Sequence, residues 1–189
     1  MYLPQRKSVT RASFVVAIIS LIVIFGWFSG NSNIVKLAPS FPPMQFNTAL
    51  CFCLLAFVNF IPKTSKFSYS RCIISIAVLI ITTLTLIEYL FGYNFGIDNL
   101  IIEDALDTSL YPGRMSPNTS VCFVLLAIAN IIPRFKKNVL LFKSLYLTIN
   151  IIVFLLACIA LIGYTLNISF YFSWGHITGM ALHTSICLV

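Results

Sequence analysis

The chain predicts an all-α integral membrane domain of three tandem transmembrane helical hairpins, about six spans with the last truncated. Three observations predict it. Of 189 residues, 59% are hydrophobic and 9% are charged, whereas a soluble domain carries roughly a quarter charged residues. Long apolar stretches recur at residues 13–29, 44–62, 72–91, 117–133 and 142–164, and a helix needs about 20 residues to cross the hydrocarbon. One phrase, Met-x-x-Asn/His-Thr-x-x-Cys, is written three times. The apolar runs are continuous, so they lack the alternation of barrel strands.

The first stretch follows Arg6, Lys7 and Arg11 and closes on Gly26-Trp27. A basic start before an apolar run also begins a signal peptide, but residues 26–33 (GWFSGNSN) offer no small-x-small cleavage site. The second stretch opens on Met44, Asn47, Thr48 and Cys51 and stops at Pro62. Proline after the last turn is a firm helix stop. The third ends in Gly92-Tyr93 and carries Glu88, the one acid inside a predicted span. An intramembrane ionisable group is a functional hypothesis by default; snorkelling to the nearby interface is the simpler reading.

The loop after Gly92 is longer than its two counterparts. Residues 98–107 read as a short acidic helix that Asp98 could cap. The fourth stretch opens on Met115, Asn118, Thr119 and Cys122. Residues 43–62 and 114–133 are identical at eleven of twenty positions. Both are a little short for a span, so their helices are expected to begin a turn earlier, near Met44 and Met115. The fifth stretch closes on Gly163-Tyr164, and the third phrase follows as Met180, His183, Thr184 and Cys187. Residues 180–189 make only about 15 Å of helix. The expectation is therefore a chain cut within its sixth span, with any output domain beyond it.

The repeat units run approximately over 12–66, 67–138 and 139–189, in a single membrane domain. Each hairpin starts and ends on one side, which makes the units parallel repeats about an axis along the membrane normal. A pseudo-threefold bundle is their natural closure.

The net charge of +7 is topological. Arg6, Lys7, Arg11, Lys63, Lys66, Arg71, Arg134, Lys136, Lys137 and Lys143 fall on one side of this topology. Lys36 and Arg114 fall on the other, with Asp98, Glu103, Asp104 and Asp107. The positive-inside rule then places the N-terminus in the cytoplasm. Trp27, Tyr89, Tyr93, Tyr164, Tyr171 and Trp174 gather at the opposite interface, as an aromatic belt does. The partner is the lipid bilayer, and no nucleic-acid site is seen. Cys51, Cys53, Cys72, Cys122, Cys158 and Cys187 lie in or beside apolar stretches. They read as small hydrophobes rather than a disulfide framework.

Met, Asn or His, Thr and Cys at i, i+3, i+4 and i+7 share one face of a helix. One reading is a packing seam, in which Asn and Thr bond across helices and Asn47 and Asn118 cap their own helix starts. A second is a site for a small ligand or lipid headgroup. Its candidates are Met44, Asn47, Thr48, Glu88, Arg114, Met115, Asn118, Thr119, Met180, His183 and Thr184. A third is a Cu(I) site of Cys51, Cys122, Cys187 and His183, because thiolate and imidazole suit soft metals. Haem on His176 or His183 is a further option, although His176 falls in a loop. No cofactor is required by any of these residues. There is no P-loop, HExxH, Ser-His-Asp set or GxGxxG in context, so no catalytic residue is assigned and the chain is not read as an enzyme.

The phrases GYNFGIDNL (92–100), GRMSPNTSVCFVLLAIANII (113–132) and GMALHTSICL (179–188) resemble the N-terminal multi-span region of bacterial sensor histidine kinases and diguanylate cyclases. Arg114, Met115, Asn118, Thr119, His183 and Thr184 carry the match. The resemblance covers nearly the whole chain. It implies a sensory or anchoring module of a signal-transduction protein in the bacterial inner membrane. Such a module passes a change through its last helix to a cytoplasmic kinase or cyclase. No kinase, cyclase, PAS or receiver segment is present in these residues. A homodimer and an unidentified small ligand are the partners it allows. The alternatives are a small transporter or channel component and a metal- or haem-binding membrane protein.

Overall fold

A computed structural model describes residues 3–62, 68–104, 110–132, 139–173 and 178–189. Lys63, Lys66, Asp107, Arg134, Lys136, Lys137, Trp174 and His176 lie outside them, as do the side chains of Arg6 and Lys7.

The helices are α1 (Leu3–Phe28), α2 (Ser32–Val35), α3 (Phe46–Phe60), α4 (Ser68–Phe91), α5 (Pro117–Ile131), α6 (Val139–Leu166) and α7 (Leu182–Leu188), with a 3₁₀ turn at Ser169–Tyr171. The described residues contain no strand. Within α1, α4 and α6, three segments are long and apolar enough to cross a membrane: Ser8–Phe28, Tyr69–Phe91 and Leu140–Leu166. Much of their surface is exposed hydrophobic side chain, such as Phe14, Ile73, Leu90, Leu141 and Ile151. A bilayer turns that surface from a liability into a favourable contact.

Two helices are shorter than expected. α3 and α5 have 15 residues each, about 22 Å, and neither begins at its methionine. Gln45, Ser116 and Ala181 are the N-caps of α3, α5 and α7, and all three hold the same extended backbone, with φ/ψ of −61/150°, −62/149° and −64/151°. Met44, Met115 and Met180 therefore precede their helices. The single-face reading of the phrase holds from the Asn or His onward and fails at Met. The methionine amides are spent elsewhere: Met44 donates to Val35 O at 3.0 Å and Met180 to Phe172 O at 2.7 Å. Extended strands of loop thus lie beside each other where a straight helix was expected.

α1 packs on α3, α4 on both α3 and α5, and α6 on both α5 and α7. The core between them joins Val23, Trp27, Val35, Met44, Phe52, Leu55, Val78, Met115 and Phe123. Phe52 and Phe123 meet edge to face at 4.7 Å. The α1–α3, α4–α5 and α6–α7 reversals come together at one end of the bundle, called here the motif end. Towards the other end, α1, α3, α5, α6 and α7 surround a cavity of about 350 Å³.

Candidate functional site

Two reversals closed by a ring-to-carbonyl hydrogen bond and one closed by an ion cluster make up the motif end. In the α1–α3 reversal, Trp27 Nε1 donates to Met44 O at 2.8 Å. In the α6–α7 reversal, the Tyr164 hydroxyl donates to Met180 O at 2.6 Å. Both rings follow a glycine that lies inside its helix. A Cβ on Gly26 would stand 2.6 Å from Ile34, and one on Gly163 would stand 2.6 Å from Tyr171. Only hydrogen fits there, so the loop folds back tightly enough for the ring to reach the carbonyl. Tyr164 also stacks on Phe172 at 4.2 Å.

The α4–α5 reversal is built differently. Gly92 follows the last residue of α4 with φ +68°, the left-handed conformation that glycine adopts without strain. Tyr93 therefore leaves the helix and is exposed, stacked on Phe91 at 6.1 Å. Charge fills the place that a hydrogen-bonded ring, buried Trp27 or half-buried Tyr164, takes in the other two reversals. Arg114 is 2% exposed, Glu88 0% and Asp98 8%. Arg114 Nε lies 2.7 Å from Asp98 Oδ2 and 3.3 Å from Glu88 Oε2. Its guanidinium carbon stands 4.5 Å from the Tyr111 ring centre and 5.2 Å from that of Tyr89. A desolvated cation gains from such ring faces.

The backbone fixes this cluster. The Phe95 amide donates to Glu88 Oε1 at 2.7 Å, and the Gly113 amide to Asp104 Oδ2 at 3.0 Å. Gly113 has φ +79°, and a Cβ there would collide with the Asn99 side chain.

Glu88 thus does not snorkel; it is buried against a cation. Asp98 caps no helix. Residues 98–104 are turn and bend rather than helix, and 105–109 fall outside the described residues.

The Asn/His positions link the reversals to one another. Asn47 Nδ2 donates to Ile97 O at 2.9 Å, and Asn118 Nδ2 to Phe172 O at 3.1 Å. His183 lies against the Val35 backbone, although neither ring nitrogen makes a hydrogen bond of ordinary geometry. Each residue sits second in its helix and reaches a loop of another reversal. Asn47 and Asn118 are therefore not caps of their own helices. Ser116 caps α5 instead, accepting from the Thr119 amide at 3.4 Å, with its hydroxyl 2.7 Å from Thr119 Oγ1. Thr48 and Thr184 are buried alongside.

The copper reading loses its geometry. All six cysteines are free, and the described residues bring no three His, Cys, Asp or Glu side chains close enough to share a metal. Cys51, Cys122, Cys187 and His183 do not form such a group. Cys51 and Cys122 are packed in separate apolar clusters.

Sequence reasoning singled out Glu88 and Arg114 separately and missed that Asp98 joins them. It also missed Trp27 and Tyr164 as carbonyl donors, although the Gly-aromatic pairs were the available signal. In the cavity at the other end, it did not foresee that Ser13, Asn59, Asn130, Tyr146 and Asn150 share one lining. No protein-family model matches this chain, and no curated protein and no solved structure is significantly similar to it.

Proposed function

We propose that this chain is the membrane-embedded sensory or anchoring module of a bacterial signal-transduction protein. In this reading three hairpins, α1/α3, α4/α5 and α6/α7, stand as parallel units about a pseudo-threefold axis. The motif end faces away from the cytoplasm, because the basic clusters fall in the sequence at the segments that join the opposite ends of the helices. The module assigns no catalysis to residues 1–189.

One observation carries the reading. The second residue of two returning helices donates to a loop carbonyl of another reversal, Asn47 to Ile97 and Asn118 to Phe172, and the third copy's His183 is buried at the same position. A disturbance at either loop is thereby felt by a helix of a different hairpin. Sensing requires two arrangements that a signal favours unequally, and buried polar links between rigid helices are suited to that. The test is to replace the equivalents of Asn118 and Thr119 by Ala and Val in a signalling protein carrying the same phrase. Kinase or cyclase output should change; unaltered output would overturn the reading. Cysteine accessibility should also place Tyr93 on the non-cytoplasmic face and Tyr69 on the cytoplasmic one.

A second reading, a transport or channel component, is favoured by the cavity. Asn59 donates to Ser13 Oγ at 3.0 Å, while Asn130 and Asn150 donate to carbonyls of their own helices. Their amide oxygens remain available to a polar solute. Phe52 lines the cavity on the side of the Phe123 contact, and the apolar core beyond offers no solvated route among the described residues. Solute flux into liposomes containing the purified chain would favour this second reading.

A further inference from the structure

Glu88 and Asp98 share one guanidinium: Oε2 of one and Oδ2 of the other lie 3.3 and 2.7 Å from the same Arg114 Nε. Counted as ionised groups, two carboxylates and one arginine leave the buried cluster with an excess of one negative charge. An unbalanced buried charge is costly. The hydrogen bonding shows the same deficit. Glu88 Oε2, whose contact is the 3.3 Å ion pair to Arg114 Nε, and Asp98 Oδ1 are buried acceptors with no hydrogen bond, against one buried donor without an acceptor, Arg114 Nη1, so acceptors outnumber donors by one. One proton between the two carboxyl groups supplies the missing donor and cancels the excess charge together.

We propose that the Glu88–Asp98 pair is a proton-binding site, with one proton shared between the two carboxyl groups beside Arg114. Binding forms one O–H bond to a carboxylate oxygen as hydronium gives up a proton and leaves as water, and it breaks no bond of the protein. The cluster passes from an excess of one negative charge to neutrality. Asp98, the more exposed of the two acids, is the entry point. The other groups around the pair are Tyr89 on α4, the Tyr93 carbonyl and Asp104 in the loop, Tyr111, and Arg114 before α5. Among the described residues, Lys36 is the other basic side chain of this end. Of the two carboxylates, Glu88 belongs to α4 and also holds the Phe95 amide, while Asp98 belongs to the loop. Loss of the proton sets two anions against each other across the α4–loop contact, and the loop loosens from the helix.

This deepens the sensory reading by naming its signal, and rests on that reading only for the consequence. The binding event can be measured by itself. The chain has five acidic residues and four methionines, so both carboxyl infrared bands and methionine methyl resonances are assignable. The full chain in lipid nanodiscs would be titrated from about pH 4 to about pH 9, a range that brackets ordinary and displaced carboxylates. The expected result is one carboxylic-acid band that persists above the ordinary carboxylate range and vanishes at higher pH. The Met115 methyl should follow the same midpoint. Glu88→Gln and Asp98→Asn should each abolish the band, and Glu103→Gln should leave it. The wild-type titration needs no variant, so misfolding of either does not shelter the proposal. Full ionisation of all acids across the range overturns it, as does a band retained in both variants. A titration felt at Met115 together with Met44 and Met180 supports the site and its coupling. A titration confined to Met115 upholds the proton site and tells against the sensory reading.

Discussion

The α4–α5 reversal and the α6–α7 reversal share a sequence signature and solve the same problem by different physics. Both preceding helices carry Gly-Tyr near their ends, and both returning helices follow a buried methionine. At α6 the glycine stays inside the helix, and Tyr164 points at Met180 O. At α4 the glycine ends the helix at φ +68°, and Tyr93 turns outward. One reversal is closed by a neutral hydrogen bond and the other by an ion cluster. A neutral bond at a tyrosine hydroxyl ignores pH over the range in which a carboxylate responds. Where the glycine falls relative to the last helical turn thus separates the reversal closed by ionisable groups from the one closed by a neutral bond.

The largest test of that contrast is Arg114→Ala. Removing one partner of a buried ion pair typically costs about 3–5 kcal/mol, because the other charge stays buried. Thermal unfolding in detergent should show this loss, and the loss should vary with pH as the two carboxylates titrate. A loss below about 1 kcal/mol, of the size of an exposed pair, would erase the contrast. Gly113→Ala comes next. Its left-handed backbone and the collision with Asn99 should cost about 1–3 kcal/mol, in line with strained non-glycine conformations. The Met115 methyl resonance should shift or broaden with it.

Tyr164→Phe keeps the stack on Phe172 and removes only the bond to Met180 O. Its cost, and that of Trp27→Phe, should be about 0.5–1.5 kcal/mol, the net value of one hydrogen bond. Both losses should be the same at every pH that changes the Arg114→Ala loss. The smallest effect has the opposite sign. His183→Asn restores the residue found at the two other copies, where the amide reaches a loop carbonyl. Since the imidazole makes no ordinary hydrogen bond, the substitution should stabilise by about 0.6 kcal/mol, the average for polar contacts between membrane helices. A loss instead would show that His183 has a purpose of its own.

The apolar helices were legible because continuous hydrophobic runs have one reading in water or lipid. Their bounds were less so. Met44 and Met115 look helical by spacing, but each precedes an extended N-cap, and the Met44 amide is bonded to Val35 O, a partner that no local pattern announces. The acidic stretch after Asp98 read as a helix for the same reason: its carboxylates suited a cap, and the buried Arg114 that claims Asp98 is sixteen residues further on. Glu88 looked cheap to expose because it sits near a helix end. Depth along a helix was readable; which way the side chain turned was not.

The amino-acid sequence by itself determined that the chain is helical and strongly apolar, where its long apolar stretches lie, and the thrice-written phrase. Those follow from composition and spacing, which are local. The tertiary structure alone decided the pairings: Trp27 with the Met44 carbonyl, Asn118 with the Phe172 carbonyl, and Glu88 with Asp98 on one arginine. Each joins residues distant along the chain, and a buried polar group must take whatever partner the packed helices bring to it.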